Sequence, residues 1–222
     1  MTKTFMGENI KEGVEILARL MKESNYTVVL TGAGMDTESN IPDFRSQDGL
    51  WKKYDPRLLA SIDTFEENYP LFRDFYSERI KRLKNVRPHE GHYILADFER
   101  RGIIKSIATQ NVSDLHRIAG NEKVYELHGN IRKIRCSSCG QEAGLDNFLK
   151  KAKCGVCGKD ALRPEVVLFG ESLPAKEWAL AEEDIRKSDL LLVIGTSLEV
   201  YPVNQLPFFT RGKRVLINKT SY

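Results

Sequence analysis

Apolar residues in NIKEGVEILARLMKES recur at intervals of three and four, so one face of this segment is hydrophobic and it predicts an amphipathic helix. The pattern then changes. YTVVL is apolar at consecutive positions, and similar short runs return in IIKSIATQN, KVYELHG, LRPEVVLFGE, DLLLVIGTS and GKRVLINK. Continuous Val, Ile and Leu, without polar alternation, predict strands covered on both faces. Between these runs the helical period reappears in LFRDFYSERIKRL, in PHEGHYILADFERRG with Gly102 closing it, and in WALAEEDIRKS. Strands alternating with helices define an α/β fold with a parallel sheet and right-handed crossovers. In such a sheet ligands lie beyond the carboxyl ends of the strands, where the loops GAGMD, TQNVS, LFGE and GTSLE are expected to collect.

Composition narrows the function classes. The chain has 222 residues, 41% of them apolar, enough for one sizeable core and a smaller appended module. A net charge of +3 demands no polyanionic partner, and the basic run KRLKNVR reads as a solvated helix end, so nucleic acid is not expected as a partner. The longest apolar run, LLLVIG, is strand-sized, and neither a membrane span nor a secretory leader is expected.

The four cysteines fall in two close pairs, Cys136-x2-Cys139-x14-Cys154-x2-Cys157, each followed by a glycine. Four thiolates at this spacing fit a closed tetrahedral zinc shell with no position left for substrate, hence a structural site. The segment carries little apolar bulk, so metal binding would supply its folding energy. Two redox pairs are the alternative, although neither CxxC opens a helix. Reduced, metal-bound thiolates suit a cytoplasmic protein.

The loop after YTVVL contains Gly32, Ala33 and Gly34, which permit a tight turn and close approach of backbone to phosphate. Gln110 and Asn111 end a second buried strand, where bare amides need partners. Gly195, Thr196 and Ser197 give a further glycine turn with two hydroxyls. Three such loops suggest a dinucleotide laid across a strand switch point. His128, after VYEL and before a glycine, is a candidate general base, its ordinary pKa being close to neutral. His89 and His92 read as surface or packing groups. No GxSxG elbow is present, so a hydrolase triad is not supported.

Taken together, TGAGMDTESNIPDFRS, TQNVSDLHRIAG, YELHG, the CSSC/CGVC quartet, LRPEVVLFGE and GTSLEVYP resemble the sirtuin family, the NAD-dependent protein deacylases, in the family's order over nearly the whole chain. The resemblance implies a Rossmann-like NAD-binding domain from residues 1–44, 88–130 and 161–222. A small domain of 45–87 and 131–160 would combine a helical module with the zinc module. NAD and acylated-lysine protein substrates would meet in the cleft between them, with the protein acting as a monomer. Gly32, Ala33 and Gly34 would line the pyrophosphate, with Arg45 meeting the phosphates. Ile41 and Asp43 would help form the nicotinamide pocket, and Phe44 would shield the anomeric carbon. Gly195, Thr196, Ser197 and Asn218 would complete the nucleotide site. Asn111 would hold the ribose and a water, and Gln110 would orient the ribose and His128. The acyl oxygen would attack the nicotinamide ribose, nicotinamide would leave, and His128 would accept a proton through the ribose hydroxyls. Substrate backbone would pair between Gly170–Glu171 and the segment around Glu199, Val200 and Tyr201, with Val167 and Phe169 lining the acyl-lysine tunnel.

Two departures stand out. The family commonly has Ser at the position of Asp36, and Asp at the position of Ser113 in the motif that follows the second strand; Gly is also common where Asn40 stands. Asp36 brings a negative charge close to the expected pyrophosphate, unfavourable unless it turns away. Ser113, which would border the nicotinamide site, lacks the family's charge. Family chains also continue past the final strand, with part of the adenine pocket expected from there. From periodicity alone Tyr76 reads as a packed aromatic and Arg79 as a solvated charge; three apart on one helix, they also resemble a sirtuin subset with a Tyr-x-x-Arg pair that removes succinyl and malonyl groups. The alternatives are a catalytically weak NAD- or ADP-ribose-binding protein, a protein ADP-ribosyltransferase, and a non-enzymatic zinc-bearing interaction domain.

Overall fold

The computed structural model describes residues 9–41 and 56–219. Helix α1 (Ile10–Glu23) leads into β1 (Thr27–Thr31), followed by a 3-10 helix, Ala33–Ser39. Helices α2 (Pro56–Leu59), α3 (Ile62–Glu67), α4 (Tyr69–Leu83) and α5 (Glu90–Arg100) precede β2 (Ile104–Thr109), α6 (Leu115–Ala119) and β3 (Val124–Glu126). Then come β4 (Gly129–Cys136), β5 (Glu142–Ala143), α7 (Leu145–Leu149), β6 (Leu162–Val166), α8 (Ala175–Lys187), β7 (Leu190–Ile194), a second 3-10 helix, Val203–Phe208, and β8 (Lys213–Ile217).

Five strands form a parallel sheet in the order β3-β2-β1-β7-β8. Successive side chains of a strand point to opposite faces. Val28 and Leu30 therefore pack with Ala181 and Ile185 of α8, while Val29 packs with Leu95 of α5 and, from α1, Leu17 and Leu20. Both faces are covered, which is why β1 and β7 read as uninterrupted apolar runs. Asp184 anchors α8 to the sheet. Its buried carboxylate accepts from Tyr26 OH (2.9 Å), Ser106 Oγ (2.7 Å) and Tyr125 OH (2.8 Å), with Lys123 Nζ at 2.8 Å.

LRPEV differs from the expected parallel strand. β6 pairs antiparallel with β4 in a separate three-stranded sheet, β5-β4-β6. Pro164 is tolerated there because β6 lies on that sheet's edge. The cysteine segment also has more core than its composition suggested. Cys136, Phe148 and Cys154 join Phe72, Tyr76 and Ile80 of α4 and Ile131, Ile134 and Leu162 in one cluster. Arg73, 2% exposed, ties α4 to this module, donating to the carbonyls of Asn147, Phe148 and Ala152 and, at 2.8 Å, to Asp160 Oδ1. Its fork meets carbonyls at the carboxyl end of α7, which a cation satisfies well.

Candidate nucleotide and catalytic site

Strands β2 and β7 flank β1 on opposite sides, so the order reverses at the carboxyl ends of β1 and β7. The glycine loops meet there. Gly32 N donates to Ile194 O (3.0 Å) and Gly34 N to Gly195 O (2.8 Å). At Gly195, φ is +64° and an added Cβ would stand 2.3 Å from Met35 N, so this turn requires glycine on both conformational and steric grounds. Thr196 is buried, Ser197 is half-buried, and Asn218 Nδ2 donates to Thr196 O (2.9 Å) from the end of β8.

The two amides after β2 cross to these loops. Asn111 Nδ2 donates to Gly32 O (3.0 Å) and Gln110 Nε2 to Thr196 Oγ1 (3.0 Å). Gln110 also meets His128. It is the backbone carbonyl of Gln110 that lies 3.1 Å from His128 Nδ1. A carbonyl only accepts, so Nδ1 carries the proton and Nε2 keeps its lone pair. Burial pushes the His128 pKa below its ordinary value, partly opposed by the Gln110 carbonyl. A neutral, oriented imidazole whose free nitrogen is a base is the form proton abstraction needs.

Asp36 is buried and bonded away from solvent: Ser113 Oγ donates to Oδ2 (2.7 Å), and His92 Nε2 lies 3.2 Å from Oδ1. The departures at positions 36 and 113 thus meet each other. His92, read from sequence as surface or packing, is fully buried in this network. His89 caps α5, accepting from Gly91 N at Nδ1 (3.0 Å), and its Nε2 donates to Met35 O (2.7 Å). His116 is also buried, Nε2 lying 3.0 Å from Thr31 Oγ1; burial and then the neighbouring His92 push its pKa down to about 3. These three rings belong to the loop framework, and their pairing with distant partners left no sign in local sequence.

The loop after β6 is braced by a bidentate pair. Arg163, 3% exposed, donates to Glu171 Oε1 (2.6 Å) and Oε2 (2.9 Å). Burial would raise the Glu171 pKa, but the Arg163 guanidinium and the Leu168 N–H outweigh it and hold the carboxyl below its usual range. Phe169 N donates to Ala60 O (2.8 Å) and Ile62 N to Phe169 O (3.0 Å), stitching this loop to the helical module. Val167 is half-buried, while Phe169, Gly170, Glu199 and Val200 are exposed. Tyr76 is buried against Phe72, and the Arg79 guanidinium lies 5.5 Å from the centroid of the Tyr76 ring. Ile41 is half-buried at the end of the described loop; Asp43, Phe44 and Arg45 lie outside the described residues.

The cysteines converge as their spacing implied. All four are free thiols whose Sγ atoms lie within 4.8 Å of one another. Cys136–Cys157 is 3.6 Å and Cys139–Cys154 is 3.7 Å, against about 3.8 Å between sulfurs of a tetrahedron with metal–sulfur bonds of about 2.3 Å. Each pair bends through a turn closed by a bond from glycine: Gly140 N to Cys136 O and Gly158 N to Cys154 O, both 2.9 Å. The donor set and spacing fit zinc. Neither pair opens a helix, so the redox alternative lacks the N-terminal dipole that would activate a thiol.

The profile of the Sir2 family matches residues 32–202. An NAD-dependent protein deacetylase of Oceanobacillus iheyensis is 47% identical over 203 residues, covering 90% of this chain and 86% of its own length. An NAD-dependent protein deacylase of Pyrococcus furiosus is 41% identical over 207 residues, covering 88% of this chain and 81% of its own. A solved Sir2 homologue in complex with NAD superposes with a TM-score of 0.88 at 36% identity, covering 99% of this chain and 86% of that one. The fold is that of the sirtuins. The chain belongs to the Sir2 family.

Proposed function

We propose that this chain is an NAD-dependent protein-lysine deacylase, transferring an acyl group from lysine to ADP-ribose with release of nicotinamide. The observation that carries this reading is His128, held through Nδ1 by the Gln110 carbonyl beside the Asn111–Gly32 contact. NAD, as the consumed co-substrate, supplies the electrophilic ribose carbon. Gly32, Gly34, Gly195 and Thr196 bring backbone close to the phosphates, Asn111 and Gln110 fix the ribose end, and His128 Nε2 accepts a proton from the ribose. The work is positioning and electrostatics. The acylated peptide lies along the Phe169–Glu171 loop, whose bonds to Ala60 and Ile62 join it to the helical module. The exposed edge around Glu199 and Val200 faces the same peptide. Incubation with NAD and acetyl-lysine peptide should yield free nicotinamide and 2′-O-acyl-ADP-ribose by mass. ADP-ribose attached to protein in their place would make the chain a transferase of another kind.

We further propose that Arg79 and Tyr76 admit acyl groups ending in a carboxylate. Arg79 presents a bidentate fork, and its guanidinium lies 5.5 Å from the centroid of the Tyr76 ring. Acetyl has no distal carboxylate, so the pair would act by difference. Arg79→Met is then expected to cut desuccinylation about 10-fold or more, from loss of one charge-assisted interaction of roughly 1.5–3 kcal/mol, while sparing deacetylation. Equal loss on both substrates would leave Arg79 a packing residue and acetyl the preferred group.

A further inference from the structure

Asp36 stands where three elements converge: the 3-10 helix after β1, the start of α5 with His92, and the loop after β2 with Ser113. Asp36 and Ser113 are each 4% exposed, and His92 is 0% exposed. A buried carboxylate is costly unless both oxygens are met by donors, and a buried hydroxyl needs an acceptor. Here each requirement answers the other, with His92 taking the second oxygen. Ser113 is fixed from its other side as well. Arg132 Nε donates to Ser113 O (2.9 Å), while Arg132 Nη2 donates to Leu83 O (3.0 Å) at the end of α4. The loops that this bond joins also carry Gly32, Gly34, Gln110 and Asn111.

We propose that Asp36 is a positioning residue for nucleotide use, setting the separation of the two strand-end loops through its bond to Ser113, and that the gap requires one carboxylate and one hydroxyl in either order. This inference rests on the reading that these loops hold NAD.

The single changes fail for opposite reasons. Asp36→Ser leaves two hydroxyls and removes the two-acceptor fork that serves Ser113 and His92. Ser113→Asp sets two carboxylates within hydrogen-bond distance in a buried site, where like charges cannot both ionise without large cost. Asp36→Ser combined with Ser113→Asp restores one of each.

The test measures kcat and KM for NAD with an acetyl-lysine peptide, and ADP-ribose binding by calorimetry, for both single variants and the double variant. Each single change should raise the NAD KM and the ADP-ribose Kd about tenfold or more, with kcat less affected, and the double should recover. The product of the single effects should exceed the double effect by about tenfold or more, as expected for coupled neighbours. Coupling below that, or loss confined to kcat at unchanged KM, overturns the proposal. If a single variant does not fold, the double decides alone: a KM and Kd within about threefold of wild type support the exchange, and a larger rise overturns it. A wild type that binds ADP-ribose without deacylating would refute the enzymatic reading, while the Kd comparison would still decide the exchange.

Discussion

His128→Ala should abolish most deacylation, by about 10²–10⁴-fold in kcat/KM, while the fold and ADP-ribose binding persist. The ring is half-buried, and among the described residues its hydrogen-bond partner is the Gln110 backbone carbonyl. Water can replace that donor, so little stability is lost. What disappears is a base held in one tautomer and orientation. The pH profile gives an independent readout. His128 works only when neutral, and burial shifts its pKa below the ordinary value. Activity should therefore persist below about pH 6.5 and fall on an acid limb displaced to lower pH than an exposed histidine would give. The residual activity of His128→Ala should lack that limb. Turnover comparable to wild type would remove His128 from the mechanism.

The parts of this site that were legible in sequence are those written in local pattern. TVVLT and LLLVI announced two-sided burial, and the glycines, the Gln-Asn pair and the cysteine spacing each require a particular residue type at a particular interval. Partners distant in sequence were not legible. Arg73 looks like a solvated helical charge until Asn147, Phe148, Ala152 and Asp160 are brought to it. Asp36 looked misplaced because its acceptor role depends on Ser113, 77 residues away. His92 gave no local hint of complete burial. The apolar run of β6 resembles a parallel strand, and its place in the three-stranded sheet depends on pairing with β4. Pro164 was the available signal, since a proline removes a ladder donor and favours an edge.

Cys136→Ala should release the zinc and loosen the entire small-domain cluster, with lost activity as a consequence. Four thiolates at this spacing form a closed shell; three leave an open position and a weaker site. Apparent binding free energies of structural zinc are on the order of 10–16 kcal/mol, comparable to the total stability of a domain, so the metal's contribution outweighs the small loss of packing at one cysteine. The effect should spread. Cys136 is fully buried beside Phe148, and the Arg73 fork that holds α4 depends on carbonyls of the same module. Loss of the metal would thus disorder the surroundings of Tyr76 and Arg79 while leaving the five-stranded sheet, with its separate cores, largely folded. Metal analysis should find about one zinc per wild-type chain and far less in the variant. Hydrogen exchange should show protection lost in α4 and β4–β6 and retained in β1, β2 and β7. A strong chelator acting on wild type should reproduce that pattern. One equivalent of tightly held zinc in Cys136→Ala, or uniform loss of protection across both sheets, would contradict a four-thiolate site that stabilises only its own module.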